Sequence, residues 1–114
     1  MLRALLFTFC LLSFSLSAQA ADAARGKVVA QVRCMPCHHL NTLLPGIGPG
    51  LKGIYGRAPS ISGIPFDVWD DTALNVWLSN PRAVKPNTRM VLPPIAARDR
   101  ADIIAWFKSV KDEK

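Results

Sequence analysis

Two cysteines and a histidine lie within five consecutive residues, in the run Cys34-Met35-Pro36-Cys37-His38. A C-x-x-C-H run is the attachment signature of c-type haem. The spacing has a physical reason, because two thiols one helical turn apart can each add to one of two neighbouring vinyl groups of the porphyrin. The histidine that follows then lies beneath the iron and offers it an imidazole nitrogen. The run therefore predicts one haem c, attached through Cys34 and Cys37, with His38 as a ligand of the iron.

Other uses of these side chains fit the sequence less well. A structural zinc site takes four ligands, but only two cysteines and two histidines follow the N-terminal leader, and His38 and His39 are adjacent. A thioredoxin-type redox pair belongs in a βαβ context, which the sequence does not show. A disulfide between Cys34 and Cys37 is possible before haem is attached, but it would leave His38 without a role.

The second axial ligand decides what such a haem can do. Of the three methionines, Met1 is lost with the leader and Met35 lies between the two cysteines, where it cannot reach the opposite face. His39 points away from its neighbour His38. A methionine in a small domain is most often core filler. As a ligand, however, Met90 would fill the last axial site, exclude oxygen and raise the reduction potential, because thioether sulfur favours ferrous iron.

Three helical segments are predicted to position these residues. The first covers 21–33, which contains no proline. A second, short helix is capped by Asp70 or Asp71 and ends at Asn80, because a residue before proline is pushed out of helical geometry. The last helix covers about 98–110. Apolar residues at helical spacing are Val28, Val29 and Val32 in the first segment, Leu74, Trp77 and Leu78 in the second, and Ile103, Trp106, Phe107 and Val110 in the last.

Two long loops separate these segments. One covers 44–62 and is rich in glycine and proline, and the other covers 82–96 and contains three prolines. Loops of this length are uncommon in a compact domain unless they wrap something. The sequence shows no credible strand pairing. It therefore predicts a small all-α domain of three to four helices, with long loops wrapped around one covalently bound haem.

Residues 1–20 have the pattern of a cleavable secretory signal peptide. An arginine near the start is followed by an apolar run over 4–16, and the small residues Ala18 and Ala20 stand where a signal peptidase reads. The run is shorter than the roughly 20 residues that span a bilayer, so an uncleaved membrane anchor is the weaker alternative. We predict cleavage after Ala20, a periplasmic location without stable membrane insertion, and one domain over 21–114.

Further motifs follow in the order in which class I c-type cytochromes carry them, and the chain resembles that family over nearly all of 21–114. Gly26 and Trp106 resemble the glycine and the aromatic residue at the crossing of the first and last helices in the family. The other matching segments are Gly48–Leu51, Gly53–Arg57, Leu74–Pro81 and Pro86–Met90. The resemblance implies the small cytochrome c fold and an electron-transfer protein, not an enzyme.

The resemblance also implies roles for individual residues. The carbonyl of Pro49 is expected to accept a hydrogen bond from the ring of His38, which fixes the orientation of the imidazole. Arg57 is expected near a haem propionate, and Trp69 is expected to donate its indole N–H to the same propionate. Met90 is implied as the second axial ligand, opposite His38.

The chain departs from the family pattern at a few positions. Ala30 stands where an aromatic residue is common, so we expect different packing where the first and last helices cross. Asn87 replaces a glycine, and the stretch 58–68 is short and has no tyrosine. His39 is expected to be an ordinary surface residue, with a pH-responsive neighbour of the haem as the alternative.

The charge balance bears on the choice of partner. Lys and Arg number 14 against 8 Asp and Glu, which gives a formal net charge of +6. No nucleic-acid motif accompanies this charge, which argues against a nucleic-acid partner. In the resembled family, basic residues around the haem edge steer docking onto acidic patches of redox partners, although an ordinary solvated surface is the alternative. The residues expected to form this basic face are Arg33, Lys52, Arg82, Lys85 and Arg89.

Three functions remain open from the sequence. The first is a monomeric periplasmic monohaem cytochrome that passes single electrons between redox partners, such as membrane complexes of a respiratory chain or dehydrogenases. The second is a cytochrome subunit held tightly by a periplasmic oxidoreductase, which an apolar haem rim would favour. The third is a ligand-binding haem sensor, which needs an open axial position, and Met90 argues against it.

Overall fold

The computed structural model describes residue 15 and residues 20–113. Four helices follow one another in this part of the chain: α1 (Ala23–Arg33), α2 (Asp71–Ser79), α3 (Pro81–Val84) and α4 (Ala97–Ser109). No strand occurs among the described residues, so the predicted all-α class is confirmed. The predicted signal peptide, apart from Ser15 and Ala20, lies outside the described residues. Within 20–113, no helix has both the length and the apolar character that crossing a bilayer requires.

The core is centred where α1 crosses α4. Gly26 lies against the backbone of Asp102, and a Cβ atom at position 26 would overlap the carbonyl oxygen of that residue. Because glycine has no side chain, the two helices can approach until their backbones touch. Ala30 of α1 and Ile103 of α4 belong to the same core and have no exposed surface.

The periodicity of the sequence identified the buried side of α4 but not that of α1. In α4, Ile103, Trp106 and Phe107 are buried as predicted, and Val110 packs partly buried against the core. In α1, Val28 and Val32 are exposed. The buried side of α1 is built from its small residues instead, because only these permit the close approach to α4.

Charged residues reinforce the same crossing. Arg25 of α1 contacts two carboxylates of α4, Asp99 at 2.7 Å and Asp102 at 2.6 Å. Asp102 is 2 % exposed and also accepts a hydrogen bond from the backbone N–H of Asp22 at 2.8 Å. These two donors, the amide of Asp22 first and Arg25 second, lower the pKa of Asp102. A buried carboxylate with charge-assisted partners on both oxygens joins the start of α1 to the middle of α4.

The helices α2 and α3 are set by their caps. The side chain of Asp70 accepts a hydrogen bond from the backbone N–H of Ala73 at 2.8 Å and so begins α2. Asn80 ends α2 in extended geometry, and its side chain caps the first turn of α3. The start of the predicted loop at 82–96 is therefore helical, and the loop itself begins at Lys85.

The stretch between α1 and α2, residues 34–70, has no helix or strand. Backbone hydrogen bonds hold it, such as the one from the N–H of Leu51 to the carbonyl of His39 at 2.8 Å. Gly53 and Gly56 have φ angles of +65° and +88°, which other residues rarely adopt. The N–H of Gly56 donates to the carbonyl of Trp69 at 2.8 Å, which joins the middle of the loop to its end.

Candidate haem-binding site

The two cysteines of the C-x-x-C-H run continue directly from the end of α1. The N–H of Cys34 donates to the carbonyl of Ala30 at 2.8 Å, and the N–H of His38 donates to the carbonyl of Cys34 at 2.9 Å. The run therefore continues the chain in a turn with helix-like hydrogen bonds, a spacing at which residues three positions apart lie on neighbouring positions of one face. Both thiols are free, with Cys34 buried and Cys37 exposed. Before haem is attached, burial raises the pKa of the Cys34 thiol to about 11.

The ring of His38 is held by the loop that follows it. Its Nδ1 atom lies 2.7 Å from the carbonyl oxygen of Pro49. Because a carbonyl can only accept, we assign the proton to Nδ1, which leaves the lone pair of Nε2 available to a metal. Gly48 packs against the same ring so closely that any side chain there would overlap it. The loop thus fixes both the rotation and the tautomer of the imidazole.

Arg57 and Trp69 are brought together by the backbone. The N–H of Trp69 donates to the carbonyl of Arg57 at 2.9 Å, and the N–H of Gly56 donates to the carbonyl of Trp69 at 2.8 Å. The guanidinium of Arg57 donates to the carbonyl of Gly50 at 2.9 Å. Its Nε atom is buried and has no hydrogen-bond partner among the described residues. An unpaired buried donor on a cation costs free energy, so this position suits an anionic group such as a carboxylate.

Met90 lies in the loop between α3 and α4 and is partly buried. Its backbone N–H donates to the hydroxyl of Thr88 at 3.2 Å. Its sulfur accepts a hydrogen bond from the indole N–H of Trp77 at 3.2 Å. The ring of Trp77 in turn packs against that of Trp69, with centroids 5.8 Å apart. The methionine is therefore connected to the segment that carries Arg57 and Trp69.

One continuous series of contacts links the two predicted axial ligands. Each member contacts the next through a hydrogen bond, ring packing or a peptide bond, and the members in order are His38, Pro49, Gly50, Arg57, Trp69, Trp77 and Met90. The donor set along this series fits a covalently bound haem. It offers an imidazole nitrogen and a thioether sulfur for iron, two adjacent thiols for the vinyl groups and a buried guanidinium for a propionate.

The contact between Trp77 and Met90 was missed by the sequence analysis, which placed Trp77 only on the buried side of α2. A signal for it was available, because a buried indole N–H needs an acceptor. Sequence alone could not show which carbonyl or sulfur the rigid ring would reach.

The five basic residues predicted to surround the haem edge have different environments. Arg33 donates to the carbonyl of Pro94 at 2.9 Å, and Lys85 donates to the carbonyl of Ser62 at 2.8 Å. Arg33 thereby ties the end of α1 to the loop before α4, and Lys85 ties two loops together. Lys52 is half-buried, while Arg82 and Arg89 are exposed. His39, beside the haem motif, is also exposed.

Known proteins resemble the chain along most of its length. The sequence model of the cytochrome c family matches residues 23–111. The cytochrome c of Euglena viridis is 38% identical over 101 residues, which is 80% of this chain and 99% of that protein. The cytochrome c2 of Rhodomicrobium vannielii is 36% identical over 108 residues, which is 84% of this chain and 86% of that protein. The cytochrome c2 of Pararhodospirillum photometricum is 30% identical over 113 residues, which is 81% of this chain and 100% of that protein.

The family match runs from the first residue of α1 to beyond the end of α4. It therefore includes the C-x-x-C-H run and every segment on which the resemblance was based. The resemblance, the fold class and the cofactor predicted from the sequence are confirmed. The chain belongs to the cytochrome c family: it is a class I c-type cytochrome with the small cytochrome c fold, an electron-transfer protein and not an enzyme, with one covalently bound haem c.

Proposed function

We propose that this protein is a periplasmic monohaem electron carrier in which His38 and Met90 bind the haem iron from opposite sides. The observation that carries the proposal is the continuous series of contacts from His38 to Met90. It supports a single site in which an imidazole nitrogen and a thioether sulfur are both held in place by neighbouring residues.

The haem, once bound, supplies an iron that changes between the ferrous and ferric states. The chain holds the surroundings of that iron nearly constant, because the His38 ring is fixed by Pro49 and Gly48 and Met90 by Thr88 and Trp77. A thioether ligand favours ferrous iron and raises the reduction potential. If His38 and Met90 both bind the iron, oxygen and substrates would have no open position there, and the site would be left with electron transfer.

Arg57 and Trp69 are proposed to receive a propionate. The unpaired Nε donor of Arg57 is buried beside the backbone that carries Trp69. A carboxylate there would accept a charge-assisted hydrogen bond and remove the cost of the unpaired donor. This pairing would anchor the polar edge of the cofactor to the loop that also holds His38 through Pro49.

We propose that redox partners dock where the ligand segments reach the surface. Met35, Ile47 and Val91 are 56 %, 87 % and 72 % exposed, and each lies next to a residue of the proposed site. The neighbouring Arg89 is exposed as well. Exposed apolar residues with cations beside them suit a partner with an acidic rim, because charge steers the encounter and apolar contact holds it.

The exposure of these three apolar side chains also favours a second candidate function. Apolar contacts at a docking surface suit a permanent partner at least as well as one that leaves after each electron. A subunit held tightly by a periplasmic oxidoreductase would bury Met35, Ile47 and Val91 permanently. The alternative of a ligand-binding sensor has no comparable support, because Met90 is held in place by two contacts.

The periplasmic location is supported by the apolar run over 4–16 and the small residues Ala18 and Ala20. The proposed mature chain is 21–114, which includes all four helices. Fractionation of cells that express the full chain would place the haem-containing species in the periplasm. Its N-terminal sequence should begin at Ala21.

Carbon monoxide binding tests the proposed ligation. The reduced holoprotein at neutral pH should show no spectral change on exposure to carbon monoxide, whereas Met90→Ala should bind it. The matched control is His39→Ala, which changes an exposed histidine beside the haem motif and should behave like the unaltered protein. Uptake of carbon monoxide by the unaltered protein would contradict the His38/Met90 assignment.

Size exclusion of a periplasmic extract separates the two candidate functions. A haem-stained species with the mass of a single domain at both low and moderate salt supports the free carrier. A larger species that survives moderate salt supports the bound subunit, because apolar contacts are insensitive to screening. The protein that elutes with it would then identify the oxidoreductase.

A further inference from the structure

We propose that the outward side of α1 is the surface by which a redox subunit holds this protein, and that this partner offers an apolar groove rimmed by carboxylates. The surface, here called the valine stripe, consists of Val28, Val32 and Met35. The proposal rests on the proposed electron carrier and takes the second of its two candidate forms, the tightly held subunit. It adds the interface and the chemistry of the partner.

The valine stripe lies on the side of α1 that faces away from the core. Its members are spaced at i, i+4 and i+7, which places them on one face of a helix. The hydrogen bond from the N–H of His38 to the carbonyl of Cys34 continues that spacing past the end of α1, so that it includes Met35. The three side chains are 58 %, 69 % and 56 % exposed. Since the opposite side of α1 packs on α4 at Gly26, the helix has two apolar sides, and α4 covers only one of them.

Cations flank the valine stripe without carboxylate partners. The helix α1 has three basic residues and no acidic one. Arg25 is paired with Asp99 and Asp102. Lys27 is exposed and Arg33 donates to a backbone carbonyl, and neither of them forms an ion pair in the part of the chain that the structure describes. The stripe therefore presents apolar side chains beside two cations whose charge is not compensated.

These charges decide what covers the stripe. Two copies packed through α1 would bring Lys27 and Arg33 of one chain close to the same cations of the other, and the formal net charge of the chain is +6. Repulsion therefore disfavours a second copy. A partner with an apolar groove can take the stripe, as grooves take amphipathic helices through anchors at i, i+4 and i+7. Carboxylates at the rim of that groove would pair with the two cations.

The position of the stripe makes this partner a redox subunit. Met35 lies between the two cysteines of the haem motif. Arg33 donates to the carbonyl of Pro94 at 2.9 Å, which brings the loop that carries Met90 and the exposed Val91 to the end of α1. A partner seated on α1 is then adjacent to both segments that are proposed to bind the haem. The surface that holds the partner thus also places it for electron transfer.

The test is size exclusion of periplasmic extracts from cells that express the full chain, with haem staining of the fractions at low and moderate salt. The test variant carries Val28→Ser and Val32→Ser together. Serine and valine have similar helix propensities and both positions are exposed, so the fold should be unaffected. Val76→Ser is the matched control, because Val76 is a valine on α2 that is 41 % exposed.

The unaltered protein and Val76→Ser should elute in a larger species that survives moderate salt, because apolar contacts are not screened. The double variant should lower the ratio of this species to the single-domain species at least about tenfold, the effect of one buried valine. All variants should contain the same amount of haem, with an unchanged absorption spectrum.

A charge reversal tests the carboxylate rim. Lys27→Glu should lower the same ratio severalfold at low salt and less at moderate salt, because salt screens charges at a rim. Lys111→Glu, at an exposed position near the C-terminus, is the control and should have no effect. If Lys27→Glu eluted like the unaltered protein at low salt, the partner would have no acidic rim at α1, and the stated partner would be wrong.

Four further outcomes would overturn the proposal. A larger species that persists in the double variant would keep the second candidate function but place its interface elsewhere. A single-domain species alone would reject a permanent partner, while the ligation by His38 and Met90 would still be decided by carbon monoxide binding. A species with the mass of two chains, lost in the double variant, would make the occupant a second copy. Sedimentation of the holoprotein with phosphatidylglycerol vesicles, lost in the double variant, would make it a lipid surface.

Discussion

The crossing of α1 and α4 and the loops around the haem site are held together by different means. At the crossing, Gly26 lets two backbones touch, and Arg25 bridges two carboxylates of α4. In the loops, single side chains reach single backbone carbonyls, as Arg57 does to Gly50 and Lys85 to Ser62. The crossing therefore has a close-packed interface of its own, whereas the loops have isolated ties.

The distribution of apolar side chains follows the same division. The apolar side of α4 is buried, but six large apolar residues of the loops are exposed, namely Met35, Leu43, Leu44, Ile47, Val68 and Val91. A small domain buries only roughly 60–65% of its extended surface and often needs reinforcement. The difference teaches that the crossing has a close-packed interface of its own, whereas the loops bury less apolar surface and so gain more from the haem that they are proposed to hold.

The largest expected effect is at the crossing. In the middle of a helix, alanine normally stabilises by about 1 kcal/mol relative to glycine. Gly26→Ala should instead destabilise the protein by about 3 kcal/mol, because the new Cβ atom overlaps the backbone of Asp102 and forces the helices apart. Denaturant unfolding of the holoprotein measures this difference.

The matched control for Gly26→Ala is Lys27→Ala, at an exposed position of the same helix. This change should alter stability by less than about 0.5 kcal/mol. If Gly26→Ala were equally mild, the close approach of the two backbones would not be what stabilises the crossing of α1 and α4.

The second largest effect is expected in the loops around the haem site. Met90→Ala should leave haem attached through the cysteines but lower the reduction potential by an amount on the order of 0.1 V, part of the roughly 0.8 V range that axial ligands set. Hydrogen exchange should become faster at 85–96, because the loop loses its tie to the haem, and remain slow in α1. An unchanged potential would mean that another residue is the second ligand.

The sequence predicted the loops around the haem site more completely than it predicted the packing where α1 crosses α4. The haem motif is local in sequence, so its chemistry could be read from five residues, and the family resemblance supplied the rest. The resemblance placed Gly26 at the crossing correctly. The valine spacing in α1 was a poor guide to its buried side, because only Val29 of the three packs against the core. Packing between two backbones at Gly26 depends on a partner 76 positions away. The sulfur acceptor of Trp77 was missed for the same reason, since it depends on how α2 meets a loop.

A third, smaller effect concerns acid stability. Hydrogen bonds from the amide of Asp22 and from Arg25 lower the pKa of Asp102, so the folded state binds fewer protons than the unfolded state. The ionised Asp102 carboxylate therefore stabilises the folded state fully above its unfolded pKa of about 3.9. This stabilisation is lost as the pH falls through the lower pKa of Asp102 in the folded state. Asp102→Asn should reduce stability at neutral pH and flatten its fall below about pH 4.

Urea unfolding of the holoprotein at several pH values measures this dependence. Asp112→Asn is the control, because Asp112 is exposed near the C-terminus, and it should keep the acid dependence of the unaltered protein. If Asp102→Asn retained the full acid dependence, the carboxylate at the crossing would not contribute to it.

The smallest expected effect is at a single loop tie. Lys85 donates to the carbonyl of Ser62 at 2.8 Å, and Lys85→Gln should cost no more than about 1 kcal/mol, because a partly exposed hydrogen bond of this kind contributes little. Hydrogen exchange should become faster near Ser62 and remain unchanged at the crossing. Lys111→Gln, at an exposed position without such a contact, is the control. A loss from Lys85→Gln as large as that from Gly26→Ala would mean that the loops rely on their own ties as strongly as the helices rely on close packing, and the haem would not be their main support.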